Sequence, residues 1–314
     1  KLPLSTNMEL KHCVSIPISD DSCLPPAPQP TKSTRVCFVS DDTLLYAVGN
    51  TLRLSSIADD SSASPDSFIF SSTNRGVSSF AFNNAAKFVA YAPRRLNPEI
   101  VVVKHPEMTP VCTVQNGTEL EYVALDFSRD GSRLAGLGGV ADFKLVIYDL
   151  EVTKVKDVPA RNPKKIIEIA LPHSCDLVSF NPSDSNQVAV KAGNKVLVYK
   201  LVLLQSAYVV DTVECMLPVL STSSVTTFIW GLSNVLFVGD STGDVHVYNG
   251  SSGAYLLELP ATSPNGLEIS RVQSLVLSST HLVVGCDNGL VQWRKMRGGG
   301  GAVLDSEAEV QQVS

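Results

Sequence analysis

One plan recurs six times along this chain. A short apolar run ends in a large side chain, a second run of Val, Leu and aromatic residues follows, and a third comes at a near-fixed distance. The first runs end at Phe38, Phe82, Phe127, Phe180, Trp230 and Leu277, so the steps between copies are 44, 45, 53, 50 and 47 residues. The second runs are Thr43 to Val48, Phe88 to Tyr91, Arg133 to Leu137, Gln187 to Lys191, Val235 to Val238 and His281 to Val284. The third runs are Thr51 to Ile57, Ile100 to Val103, Lys144 to Tyr148, Lys195 to Tyr199, Asp244 to Tyr248 and Gly289 to Trp293. A period of this size marks an array in which each copy is one supersecondary unit that buries its faces only against its neighbours.

The runs are four to seven residues long, rich in β-branched and aromatic residues, and bounded by Gly, Asn, Asp and Ser, which is the grammar of strands joined by hairpin turns. Helical spacing is scarcely seen. Three strands and a fourth, more variable one per unit give a four-stranded antiparallel blade. Blades stacked radially bury strands that are apolar on both faces. The expectation is therefore an all-β fold: a β-propeller of about six to seven four-stranded antiparallel blades, with the last open to being incomplete. Residues 35–297 form the propeller in this reading. Residues 1–34 are a leader with the proline-rich linker Pro25 to Pro30, and 298–314 a Gly-rich and acidic tail. Within the leader, Met8 to Ile18 alternates partly and is expected to close a blade as an outer strand, that of Trp293 being the first choice. The alternative is that the blade of residues 271 to 297 keeps an open face.

Composition removes several function classes. With 25 basic against 31 acidic residues the net charge is −6. The basic residues gather into no long patch, so nucleic acid is not an expected partner. The most apolar stretch, Val196 to Val210, is interrupted by Lys200 and Gln205 and is too short to cross a bilayer, so no membrane role is expected. The seven cysteines, at 13, 23, 37, 112, 175, 215 and 286, include no Cys-x-x-Cys pair. That spacing suits neither a disulfide framework nor a zinc knuckle and fits a reducing compartment. The chain begins with Lys1 and shows no basic and apolar leader, which reads as a fragment rather than a secretory precursor. The sequons at Asn116 and Asn249 read as turns.

Four features could carry chemistry. Gly239-Asp-Ser-Thr-Gly243 satisfies the nucleophile-elbow pattern, which needs a sharp strand-to-helix turn. Asp244 to Tyr248 alternates like a strand instead, and the neighbouring copy reads Gly285-Cys-Asp-Asn-Gly289, so a hairpin turn is the expectation. The histidines at 12, 105, 173, 246 and 281 fall in different copies without metal-ligand pairing. Cys286 follows a buried-strand pattern. Gly298 to Gly301 precedes no Lys-Ser/Thr and reads as a flexible insertion rather than a phosphate loop. No catalytic residue, cofactor or metal is expected, and the chain reads as non-enzymatic.

The turns resemble those of the WD repeat. Phe127-Ser-Arg-Asp-Gly-Ser-Arg-Leu-Ala135 and Val238 to Asn249 match its Ser/Asn-x-Asp-Gly turn and its third strand. Tyr148-Asp149, Tyr199-Lys200, Tyr248-Asn249 and Trp293-Arg294 are expected at the Trp-Asp position, which makes the repeats divergent. Gly117-Thr-Glu-Leu-Glu-Tyr122 and Asp142-Phe-Lys-Leu145 are similar to the third repeat of a WD-repeat family of cilia- and flagella-associated proteins, the tether and tether-head proteins of the axoneme. Asp42 to Leu52 and Pro98 to Pro106 are similar to its first two blades. The resemblance runs from about 35 to 150 and is generically WD-like afterwards. It implies a scaffold in the cytoplasmic cytoskeleton, at the axoneme of the cilium or flagellum, that helps to tether or restrain inner dynein arms on doublet microtubules. The partners it implies are proteins in a hetero-complex: dynein-associated or tether-complex subunits, extending to tubulin. Candidate protein-binding residues are Glu119, Glu121, Tyr122, Asp142 and Phe143, an aromatic anchor with a charged rim. Packing between blades is the plainer expectation for Tyr122 and Phe143. The alternative function is a WD scaffold of trafficking, ubiquitin-ligase or ribosome-assembly machinery.

Overall fold

The computed structural model describes residues 36–56, 67–70, 76–150, 163–218, 223–261, 270–278, 281–297 and 303–312. Every regular element among them is a strand. They divide into two compact units, residues 1–77 and 78–314. The first unit holds the sheet of β1 (Val36–Phe38), β2 (Thr43–Val48), β3 (Thr51–Ser56) and β4 (Ser67–Phe70). Leu45 and Tyr46 on β2 and Leu52 and Leu54 on β3 are buried.

The second unit holds five more sheets. Sheet two is β5 (Val77–Asn83), β6 (Phe88–Pro93), β7 (Ile100–Lys104) and β8 (Thr109–Val114). Sheet three is β9 (Tyr122–Phe127), β10 (Arg133–Gly138), β11 (Lys144–Asp149) and β12 (Lys164–Ala170). Sheet four is β13 (Val178–Asn181), β14 (Asp184–Ala192), β15 (Lys195–Leu204) and β16 (Ala207–Met216). Sheet five is β17 (Val225–Trp230), β18 (Val235–Asp240), β19 (Val245–Asn249) and β20 (Tyr255–Leu259). Sheet six is β21 (Val272–Leu277), β22 (His281–Cys286), β23 (Leu290–Arg297) and β24 (Val303–Gln312). In every sheet the strands pair antiparallel in chain order. Six sheets are described, which takes the lower of the expected counts.

The five sheets stack in sequence, with the first strands converging: β9 meets β13, β13 meets β17 and β17 meets β21. In sheets three, four and five the middle strands are apolar on both faces because each of these sheets has a neighbour on each side. Four clusters fill the spaces between successive sheets. Phe88, Ile100 and Val102 meet Leu125, Phe127 and Tyr148. Leu145 and Ile147 meet Phe180, Val188 and Tyr199. Val196 and Val198 meet Trp230, Leu236 and Tyr248. Phe237 and Val247 meet Val272, Leu282 and Val284. The fourth strands lie outermost, and β12 and β16 are largely exposed.

Two expectations meet this arrangement differently. The outer place beside β23 is taken by β24, which lies within the segment read as an acidic tail. Met8 to Ile18, expected there, lies outside the described residues, as do Pro25 to Pro30 and Gly298 to Gly301.

Candidate protein-interaction site

The five residues singled out in the sequence separate into a core pair and a surface trio. Tyr122 is 0% exposed and belongs to the core. The ladder between β9 and β10 slips between Leu137 and Gly138, so that Gly138 pairs with Tyr122 and Val123 is skipped. That bulge turns Tyr122 to the side of Leu125 and Phe127 instead of the side that alternation would give it. Its hydroxyl lies 3.1 Å from that of Tyr148. Burial pushes both phenols up, Tyr148 to about 12. Two glycines make room: a Cβ on Gly136 would meet Cε1 of Tyr122 at 2.6 Å, and one on Gly117 would overlap both hydroxyls. Phe143 is half-buried and packs against the cluster between sheets three and four, so neither ring is an exposed anchor.

Asp142 is a staple. Its Oδ2 accepts from the Thr118 hydroxyl, from the Glu119 amide at 2.7 Å and from the Leu120 amide at 3.3 Å. Partial desolvation opposes its charge, but these donors and the Lys144 ammonium outweigh it and hold the carboxyl below its ordinary range. The staple ties the loop of residues 139–143 to that of 115–121, and it steadies a backbone with φ of +77° at Ala141 and +38° at Phe143. Positive φ at two non-glycine residues persists only where surrounding contacts impose it.

A third loop joins them. The Asn97 amide donates to the Glu119 carbonyl at 2.7 Å, and the Gly139 amide to that of Glu121 at 2.9 Å. Glu121 lies 3.6 Å from Arg94, and Glu99 2.9 Å from Arg95. Glu119, Glu121 and Asp142 thus share one surface built from the loops before β7, before β9 and before β11. Its apolar groups are Leu96, 66% exposed, Val140, 64% exposed, and Leu120. Sequence reasoning missed these three. The available signal was that each is a lone apolar residue outside any alternating run, in loops rich in Arg, Glu and Gly.

The motifs with reactive residues take other roles. Gly239 to Gly243 is the hairpin turn between β18 and β19. The Ser241 hydroxyl accepts the Ser224 amide at 3.0 Å, and Gly243 has a φ of +99°. Asp240 accepts from the Thr242 amide and hydroxyl and the Asp244 amide, and lies 3.2 Å from Nε2 of His246. Burial of Asp240 opposes its charge, yet the donors bring its pKa down to about 2. Desolvation raises the thiols of Cys112 and Cys175 to about 11 and that of Cys215 to about 12, and raises Cys286 as well, all of which disfavours the nucleophilic thiolate. Among the described residues no three His, Cys, Asp or Glu side chains come together as a metal site.

The assignment of Trp293 to the Trp-Asp position is corrected by register. Tyr148 pairs with Leu134, Tyr199 with Val188 and Tyr248 with Leu236, and all three tyrosines are buried. In sheet six the equivalent Leu282 pairs with Arg294, while Trp293 pairs with Val283 and is 37% exposed. Arg294, 2% exposed, is the residue in the core position.

No protein-family model matches the chain. It is 22% identical over 170 residues to cilia- and flagella-associated protein 44 of Mus musculus, a match covering 54% of this chain and 8% of that protein. It is 22% identical over 186 residues to cilia- and flagella-associated protein 43 of Xenopus laevis, covering 59% of this chain and 10% of that protein. The matched segment is thus a small part of these relatives. Among solved structures the chain is similar to the β-propeller domain of Cps50 (Swd1) from Myceliophteria thermophila, with a TM-score of 0.56 at 15% identity, covering 74% of this chain and 69% of that one. It is also similar to Sqt1 from Chaetomium thermophilum, with a TM-score of 0.57 at 17% identity, covering 83% and 67%. Together with the six sheets, these likenesses make the fold that of a WD40-type propeller, with distant relatives named for cilia and flagella.

Proposed function

We propose that this chain is a non-enzymatic WD-repeat scaffold of the ciliary or flagellar axoneme, which helps to tether or restrain inner dynein arms on the doublet microtubules. The observation that carries the reading is the three-loop surface of Leu96, Leu120 and Val140 rimmed by Glu119, Glu121 and Arg94. The names of the relatives supply its cellular setting. An apolar centre with a charged rim suits a protein partner. Loops stapled by Asp142 lose little conformational entropy when they bind, so more of the contact energy remains as affinity. The partners are protein subunits of a hetero-complex, either dynein-associated or belonging to the tether, with tubulin as a further one.

The test is proximity labelling with the tagged full-length protein in a ciliated cell, wild type against Leu96→Asp with Val140→Asp. Both residues are exposed, so the double variant should melt like the wild type. The reading expects axonemal signal and inner-arm dynein subunits among the labelled proteins, with that labelling lost in the variant. Labelling confined to ribosomal, vesicle-coat or ubiquitin-ligase proteins would overturn it.

A further inference from the structure

In the fourth sheet the third strand runs five residues past its core tyrosine, against three past Arg294 in sheet six. β11 and β19 each end one residue past the core tyrosine, at Asp149 and Asn249. β15 runs on from Tyr199 through Leu201 to Leu204, then turns at Gln205 and Ser206, both at positive φ, into β16. At about 3.3 Å per residue the added Leu201 to Leu204 extend the hairpin by roughly 13 Å. One face of this arm is anchored. Leu201 is buried, and Tyr208 and Val210 pack against the cluster between sheets three and four. Arg133 donates to the Tyr208 hydroxyl at 3.2 Å and lies 5.4 Å from its ring centre. The other face is apolar and open, with Val202 opposite Val209 and Leu204 opposite Ala207. Leu204 is 54% exposed and Val209 48%.

The outer edge of the arm is unguarded where the other sheets guard theirs. Native edge strands are protected by shortness, bulges, proline or lysine, because a free row of amides and carbonyls pairs with any extended chain. β4 is four residues long. β8 contains Pro110, β12 opens with Lys164 and Lys165, and the ladders of β8, β12, β20 and β24 each contain a register shift. β16 pairs with β15 through ten consecutive residues with no shift and contains no Lys, Arg or Pro; its two charges, Asp211 and Glu214, stand opposite Lys200 and beside Lys195 of β15. Its last residues are occupied: the Met216 carbonyl accepts from the Tyr248 hydroxyl at 2.6 Å, and a Cβ on Gly253 would strike the Glu214 carbonyl. Among the described residues, the edge left without a neighbour is therefore Ala207 to Thr212.

We propose that this edge is a β-augmentation site, which takes an extended segment of another protein as a fifth strand beside β16. Backbone pairing supplies the affinity and alternate side chains the selectivity. The segment presents apolar residues to the open face of Val202, Leu204 and Val209, and Lys or Arg beside Asp211, the carboxylate of the 207–212 edge, which stands opposite Lys200 in the ladder. A second copy of this chain is a poorer occupant, since its net charge of −6 opposes self-association. The inference does not rest on the axonemal reading.

The probe is a synthetic ten-residue peptide alternating Val with Lys and Thr. Two controls accompany it, one with Glu in place of Lys and one with a central Pro. The purified chain should bind the first, bind the Glu peptide about fivefold more weakly and fail to bind the Pro peptide, at a cross-strand value of about 1 kcal/mol. Amide hydrogen exchange over Ala207 to Thr212 should slow on binding. Asp211→Asn should erase the preference between the Lys and Glu peptides, and Val209→Lys should abolish binding, both without an appreciable loss of melting temperature, since both residues are exposed. Absence of binding, binding that leaves 207–212 unprotected, or protection that rises with protein concentration alone would each overturn the proposal, the last in favour of a second copy.

Discussion

Sheets five and six answer one structural question in two ways. Gly239 and Gly285 open turns of equal length, so Asp240, His246 and Tyr248 in sheet five correspond to Cys286, Gln292 and Arg294 in sheet six. The Tyr248 hydroxyl donates to the carbonyl of Met216, the last residue of the outer strand of the preceding sheet. Arg294 Nη2 donates to the Pro260 carbonyl at the corresponding place, and to Oε1 of Gln292 at 3.0 Å. The common requirement is a long side chain that fills the space between sheets and ends in a donor, not an aromatic ring. The costs differ. In sheet five the buried carboxylate of Asp240 is surrounded by donors, and the buried atom left without a hydrogen bond among these residues is Nδ1 of the His246 ring rather than part of a fixed charge. In sheet six Nε of Arg294 and Nε2 of Gln292 are buried without a partner, and desolvation lowers the Arg294 pKa. A buried charge with unmet donors contributes little or negatively to stability.

Substitutions at the paired positions break or sharpen that contrast. The largest effect is expected from Tyr248→Ala, which opens a cavity and orphans the Met216 carbonyl: a loss of about 3–5 kcal/mol in denaturant unfolding. Next comes Asp240→Asn, with a loss of about 2 kcal/mol at neutral pH, because the donors then face a weaker acceptor. The sign of its pH dependence follows from a folded pKa of about 2 against an ordinary value of 3.8. The stabilisation is complete above about pH 4 and drains away as pH falls towards 2, so the wild type should lose more stability over that window than the Asn variant. Thermal melts from pH 5 to 2 decide it, and parallel curves would mean that the carboxylate is no better solvated folded than unfolded. The smallest effect is expected from Arg294→Met, within about 1 kcal/mol in either direction. A loss above about 3 kcal/mol there would show that Arg294 is fully paired and would erase the contrast.

The strands were legible because their period of two, their length and their turn residues all point the same way, and the spacing of β-rich runs marked every one of the six sheets. Side-chain direction was less legible where the ladder slips. Tyr122 stands in a run whose simple alternation is broken by the skipped Val123, and nothing local in the sequence announces a bulge. Trp293 misled through its chemistry: tryptophan marks this strand position in the WD pattern, yet five residues beyond Gly243 stands Tyr248 and five beyond Gly289 stands Arg294. Counting from the turn finds the core residue where matching residue types does not. The apolar tips Leu96, Leu120 and Val140 were harder to read, since single exposed apolar residues are common and only their convergence across three loops makes a surface.

Because each sheet is made of four strands taken in chain order, no strand must wait for a distant part of the chain before it finds its partner. Loop closure in every ladder spans a short stretch of sequence, so its entropic cost is small and is met locally before the sheets stack. The molecule can then assemble in the order in which it is synthesised, each finished sheet offering an apolar wall against which the next condenses. An error in one repeat stays confined to its two walls, which explains how sheet six can hold a buried arginine while sheet five beside it keeps its tyrosine.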